Sequence, residues 1–199
     1  MVKKEKEKQE KLFGDFLAGK INRRTFLITL SAFTGGYGLS KILPEVLQLM
    51  QDSGPLRSGQ EKILGEVQRH LFPASDNSPG ADEINALNYL KLVLLDPALD
   101  SRDQKFIING IGWLEEECQK LFMTTFTRLE YQQREQVLRI IEKESWGERW
   151  LSYLLKYIFE ALLTDPLYGG NPDGIGWAWL NHTAGYPRPS EKNRYGGMP

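Results

Sequence analysis

From Ser58 onward the apolar residues recur at intervals of three and four, and a chain with that period folds into amphipathic helices packed by one face. Ile63, Leu64, Val67 and Leu71 form the first stripe, which Pro73 stops. Ile107, Ile111, Leu114, Cys118, Leu121 and Phe122 form a longer one, Val137, Leu138 and Ile141 a third, and Trp150, Leu151, Leu154, Leu155, Ile158, Phe159 and Leu162 a fourth. Before each stands a hydroxyl residue with Glu or Gln three positions on: Ser58 with Glu61, Ser101 with Gln104, Thr127 with Glu130, Ser145 with Glu148. That pairing is the capping box, in which side chains satisfy the free N–H groups of a helix start. Ala81 to Leu95 adds a further helix, ended by Asp96-Pro97. No alternating strand pattern interrupts the series. The expected fold is an all-α bundle of about five helices over residues 48–164, followed by a turn-rich C-terminal tail over 165–199.

Residues 1–47 are of another kind. The first 24 carry eight basic and four acidic side chains, a local +4 against a whole-chain net charge of -1, so the remainder is acidic by five charges. An acidic body argues against a nucleic-acid surface, which needs clustered Lys and Arg. After Arg23-Arg24 no charge stands until Lys41, and Thr25 to Ser40 is apolar but diluted with Thr, Ser and Gly. Sixteen such residues fall short of the roughly 20 that a spanning helix needs, and instead suit a targeting segment behind a basic head. Asn22-Arg23-Arg24-Thr25-Phe26-Leu27 resembles the twin-arginine export signal, with Arg23, Arg24, Phe26 and Leu27 as its signature. No small-x-small cleavage site of the Ala-x-Ala kind follows, so an uncut segment serving as a membrane tether is also consistent.

Chemistry-bearing constellations are sparse. The single Cys cannot form an internal disulfide, and no Cys-x-x-Cys, zinc-protease, serine-elbow or phosphate-loop motif is present. On its stripe Cys118 is expected to be buried and inert, with a bond to another chain as the alternative. His70, at the end of the first stripe, reads as a cap for terminal carbonyls. Asp76, Ser78, Gly80 and Asp82 lack the distal Glu of a calcium loop and read as a helix-entry turn. Glu115 to Glu117 point around a helix and so diverge. The expectation is a chain with no catalytic residue, no metal site and no cofactor of its own.

The least ordinary stretch runs from Thr164 to Trp179, where Pro and Gly set consecutive turns among Tyr168, Trp177 and Trp179. More than thirty such residues to the C-terminus either wrap the bundle or lie on a partner. For the second case the expected partner surface is Tyr168, Gly169, Gly170, Asn171, Trp177 and Trp179.

Three stretches together resemble the small (gamma) subunit family of membrane-bound gluconate 2-dehydrogenase and related sugar and polyol dehydrogenases. They are the twin-arginine run; Leu71-Phe72-Pro73-Ala74-Ser75-Asp76 through Pro79-Gly80-Ala81; and Asp165-Pro166-Leu167-Tyr168-Gly169-Gly170-Asn171 with Gly174 and Gly176-Trp177. The resemblance implies a non-catalytic subunit whose large companion binds FAD and oxidises the substrate, with a membrane-bound multi-haem cytochrome c, carrying haem c, as a further partner. It also implies passage through the twin-arginine translocase, with the companion carried along, and a periplasmic location at the inner membrane. Two other classes remain open: a stand-alone helical binding protein tethered by residues 25–47, and a small enzyme using His182, Asp173 and the C-terminal loop.

Overall fold

The structure, a computed structural model, describes residues 55–190 and residue 193. Arg23, Arg24, Phe26 and Leu27 lie outside the described residues. Among the described residues six α-helices follow in order: α1 Ser58–Leu71, α2 Ala86–Leu95, α3 Ser101–Phe122, α4 Tyr131–Ile141, α5 Ser145–Leu163 and the short α6 Ile175–Trp179. Three single 3-10 turns lie at Phe126–Arg128, Pro166–Tyr168 and Pro172–Gly174. Among the described residues there is no strand, only one isolated bridge between Ser75 and Ser78. The fold is an all-α bundle, and none of its described helices is long and apolar enough to cross a membrane.

Most residues of the stripes read from the sequence form the core, but Leu121 and Phe159, at the flank of their helices, are exposed. Leu64 and Val67 of α1, Leu90 and Leu94 of α2, Ile107, Leu114 and Cys118 of α3, Val137 and Ile141 of α4, and Trp150 and Leu154 of α5 are fully buried. Trp150 is the largest of these, and its indole N–H donates to the Ile107 carbonyl at 2.9 Å. It lies so close to α3 that a Cβ on Gly110 would sit 2.2 Å from the indole. A second, smaller cluster of Ala81, Ile84, Ala86, Ile158, Ala161 and Leu162 lies at the junction of α5 with the segment leading into α2, with Phe72 and Tyr89 packed on it.

The helix starts fall one residue or more away from the expected boxes. Ser58, Ser101 and Ser145 are first helical residues, preceded by Arg57, Asp100 and Glu144 as caps. Asp100 accepts the Arg102 N–H at 2.8 Å, and a carboxylate outcompetes the neighbouring hydroxyl for that role. The backward bonds come from glutamines: Gln60 to the Arg57 N–H at 2.9 Å and Gln133 to the Glu130 N–H at 3.0 Å. Thr127 sits in a 3-10 turn rather than at a helix start. The helix expected from Ala81 begins only at Ala86, because Asn85 takes a left-handed conformation (φ 59°) that asparagine tolerates better than most residues. It ends as expected, with Asp96 extended ahead of Pro97.

His70 does not cap carbonyls. Its Nε2 meets Glu135 Oε2 of α4 at 2.7 Å and its ring packs at a tilt against Tyr131, centroids 4.5 Å apart, so it joins α1 to α4. Cys118 is buried and free, and burial pushes its thiol up to about 12. Glu115 accepts the Phe126 N–H at 2.8 Å while Glu117 pairs with Lys120, so the acidic triplet diverges as read.

Candidate functional site

A helix that ends leaves carbonyls without partners, and α5 ends at Leu163 directly ahead of the Pro- and Gly-punctuated segment. That segment turns back to satisfy them. The Asn171 amide Nδ2 donates to the Thr164 carbonyl at 2.9 Å, and the Trp177 indole N–H donates to the Leu163 carbonyl at 2.8 Å. Asn171 is fully buried with a left-handed backbone (φ 50°), and its Oδ1 accepts the Gly176 N–H at 2.7 Å, which pins the start of α6. Every hydrogen-bonding atom of that amide plane is thereby used on the chain itself.

Two glycines allow this approach. A Cβ on Gly176 would stand 2.2 Å from the Leu162 carbonyl oxygen, and one on Gly170 would stand 2.8 Å from the Ala161 oxygen. Any side chain at either place drives the tail off α5, which explains the residue types at these positions by contact alone.

The tail also binds the segment leading into α2. The Asn171 N–H donates to the Ile84 carbonyl at 2.9 Å, and Asn85 and Asn88 donate side-chain N–H bonds to the Gly169 carbonyl at 2.8 and 3.1 Å. The ring of Phe72 meets Trp179 edge-on at 6.2 Å. Between Phe72 and Ala81 the chain closes on itself, with the Ala81 N–H on the Phe72 carbonyl at 2.8 Å and Ser75 bonded to Ser78 through both backbone and hydroxyls. The two body motifs, around Phe72 to Ala81 and Asp165 to Trp177, are therefore one structural unit, although about ninety residues separate them.

Electrostatics lock the outer turn. Asp165 Oδ1 accepts the Leu167 N–H at 3.0 Å, and Oδ2 accepts Arg188 Nε at 2.7 Å. Partial burial works to raise the Asp165 pKa, but the Arg188 bond and charge with the Leu167 N–H outweigh it, so the carboxyl lies below its usual range. The Arg188 guanidinium then lies over the Trp177 ring, 4.7 Å from its centroid.

Of the residues read as partner surface, Gly170 and Asn171 are buried and build the platform from beneath, while Tyr168, Gly169 and Trp177 are half-buried. Trp179 reaches the surface with 42% of its area exposed, beside the exposed Ile175 and Leu180. Around the corner Tyr89, Lys156, Phe159, Glu160, Leu163 and Thr164 line an open groove of about 570 Å³ between α2 and α5. The parts played by Asn85, Asn88, Thr164 and Arg188 carry no sequence signal: Asn85 and Asn88 meet Gly169 across 84 and 81 positions, Arg188 meets Asp165 across 23, and Thr164 takes part through a backbone carbonyl that its side chain does not encode. His182 donates its backbone N–H to the Trp177 carbonyl at 2.8 Å, and among the described residues no hydrogen bond or ion pair joins its side chain to Asp173.

A family model described as gluconate 2-dehydrogenase subunit 3 matches residues 58–185, which takes in the whole bundle and the platform. No curated protein and no solved structure matches the chain.

Proposed function

Because the chain belongs to the gluconate 2-dehydrogenase subunit 3 family, a family of subunits of a dehydrogenase complex, we propose that it is the non-catalytic small subunit of a periplasmic, FAD-dependent sugar, sugar-acid or alcohol dehydrogenase. Its part is to carry the flavoprotein large subunit out of the cytoplasm and to stabilise it. Arg23, Arg24, Phe26 and Leu27 supply the twin-arginine address, and a membrane-bound cytochrome c is the expected electron acceptor of the assembly.

One observation supports this reading above the rest. The C-terminal segment spends the buried Asn171 amide on Thr164 and Gly176 and packs on the segment leading into α2, leaving an aromatic surface around Trp179 and an apolar groove beside Phe159 and Leu163. A surface that leaves Trp179 open to solvent suits an assembly role, since aromatic side chains with one face open anchor protein interfaces.

The carrier role is tested by changing Arg23 and Arg24 together to Lys and following the large subunit by cell fractionation. The reading expects the flavoprotein to stay in the cytoplasm. Its normal arrival in the periplasm contradicts the carrier role.

A further inference from the structure

Within the platform the chain uses one arrangement twice and completes it once. Trp177 carries a guanidinium over its ring, that of Arg188, which Asp165 holds by a carboxylate bond of 2.7 Å. Trp179, two residues on, has its indole fixed edge-on by Phe72 and stands exposed. With Ile175 and Ala178 it lines an open cleft of about 470 Å³ whose other lining residues come from the 74–79 turn and Glu83. Two carboxylates, Asp76 and Glu83, therefore share one cleft with the exposed Trp179 indole. Among the described residues neither is paired with a cation, although Asp82 between them is engaged by Arg69 at 3.0 Å. Glu83 uses one oxygen on the Gly80 N–H at 3.0 Å and keeps the other.

An aromatic face attracts cations through its quadrupole, and carboxylates beside it add direct Coulomb attraction. A guanidinium satisfies both demands at once, since it is planar enough to stack on the indole while its N–H fork reaches carboxylate oxygens. The body of the chain is acidic by five charges beyond residue 24, which favours a basic surface opposite. Openness of the cleft suits a side chain arriving on another protein's surface rather than an enclosed metabolite.

We propose that the cleft formed by Asp76, Glu83, Ile175 and Trp179 receives an arginine side chain of the companion subunit, completing at Trp179 what Arg188 and Asp165 build at Trp177. This rests on the assembly role proposed above, and names the chemistry of its contact.

The test uses the full chain, tagged and expressed with its native companions. Charge reversal by D76K with E83K is expected to lower companion capture by at least about tenfold, since like charges facing each other across an interface are strongly disfavoured. W179L is expected to lower it, and W179F to restore most of the loss, because a ring of either kind presents a cation-binding face. A second readout follows the Trp179 indole resonance of the full chain during titration with arginine amide. Saturable movement is expected in wild type and its loss in D76N with E83Q. If wild type captures a companion and the charge reversal leaves capture unchanged, the cleft proposal is overturned while the assembly role stands. Arg194 lies outside the described residues in this chain's own C-terminal segment; if R194A alone reproduces the loss, that segment is the occupant and the proposal falls. If wild type captures nothing yet binds arginine amide through these residues, the assembly role fails and the cation-binding cleft stands. If arginine amide moves no Trp179 signal and nothing is captured, both fail.

Discussion

Asn171 and Thr164 lie seven residues apart, and the amide of the first closes the helix that the second ends, with Nδ2 to carbonyl oxygen at 2.9 Å. The same amide receives the Gly176 N–H through Oδ1. One buried side chain thus terminates α5 and starts α6, and everything the platform presents to solvent depends on it.

Replacing Asn171 by Ala strips both bonds, leaves a buried N–H and a less well satisfied carbonyl, and puts a poorer residue at a left-handed φ. Thermal or urea unfolding should show a loss of about 2–4 kcal/mol. Asn171→Asp keeps the acceptor for Gly176 but loses the donor and buries a charge, so it should be no milder.

Two glycines of α3 give opposite outcomes under the same change. Gly110→Ala places a Cβ 2.2 Å from the Trp150 indole and should cost about 3 kcal/mol as the tryptophan is displaced from the Ile107 carbonyl. At Gly112 a Cβ meets nothing within 4 Å, so Gly112→Ala should stabilise by up to about 1 kcal/mol through helix propensity. Denaturation midpoints of the two variants check both signs.

These two positions also show how far the sequence could be read. The helical period identified most of the core residues within the helices, including Trp150 and Cys118, because burial in a bundle follows spacing along one helix; Leu121 and Phe159 at the stripe edges are exposed instead, and Phe126 and Leu129, buried from the turn between helices, carried no period to read. Three helix starts were displaced because Gln60, Asp100 and Gln133 took the capping work from Ser58, Ser101 and Thr127; at α5 the helix begins at Ser145 with no side-chain cap from Glu144. The role of Asn171 was not legible beyond its place in a motif, since its partners are Thr164, Ile84 and Gly176, and no local pattern encodes which backbone groups a returning loop will meet. His70 was misread for the same reason: Glu135 lies 65 residues away. The export residues fall outside what the structure describes.

The Cys118 thiol, raised to about 12 by burial, should resist alkylating and disulfide reagents in the native protein at neutral pH. Modification should proceed only as fast as the bundle opens, and one equivalent should react at once in denaturant. Rapid native labelling would place the thiol at the surface and contradict the packing of α3.

Acid should weaken the contact between α1 and α4. Glu66 bridges Arg69 at 2.7 Å and Arg134 at 2.5 Å. Partial burial works to raise its pKa, but the two guanidiniums prevail and hold it below the usual range. A carboxyl depressed in the folded state contributes stability in full above its unfolded value, about 4.3, and loses it as pH falls through the folded value. Glu66→Gln should therefore lower stability near neutrality by about 1 kcal/mol, discounted for partial exposure, and flatten the acid limb of the profile. Unfolding curves from about pH 3 to pH 7 test this, and an unchanged acid limb would show that the bridge is fully screened.

We propose that the platform holds a flavoprotein. The most direct measurement is the visible absorption spectrum, with chain composition by mass spectrometry, of the tagged protein isolated from its native membranes in mild detergent. The account predicts a flavin spectrum and a larger second chain in equal amount. A colourless, solitary chain of 22.8 kDa would contradict it.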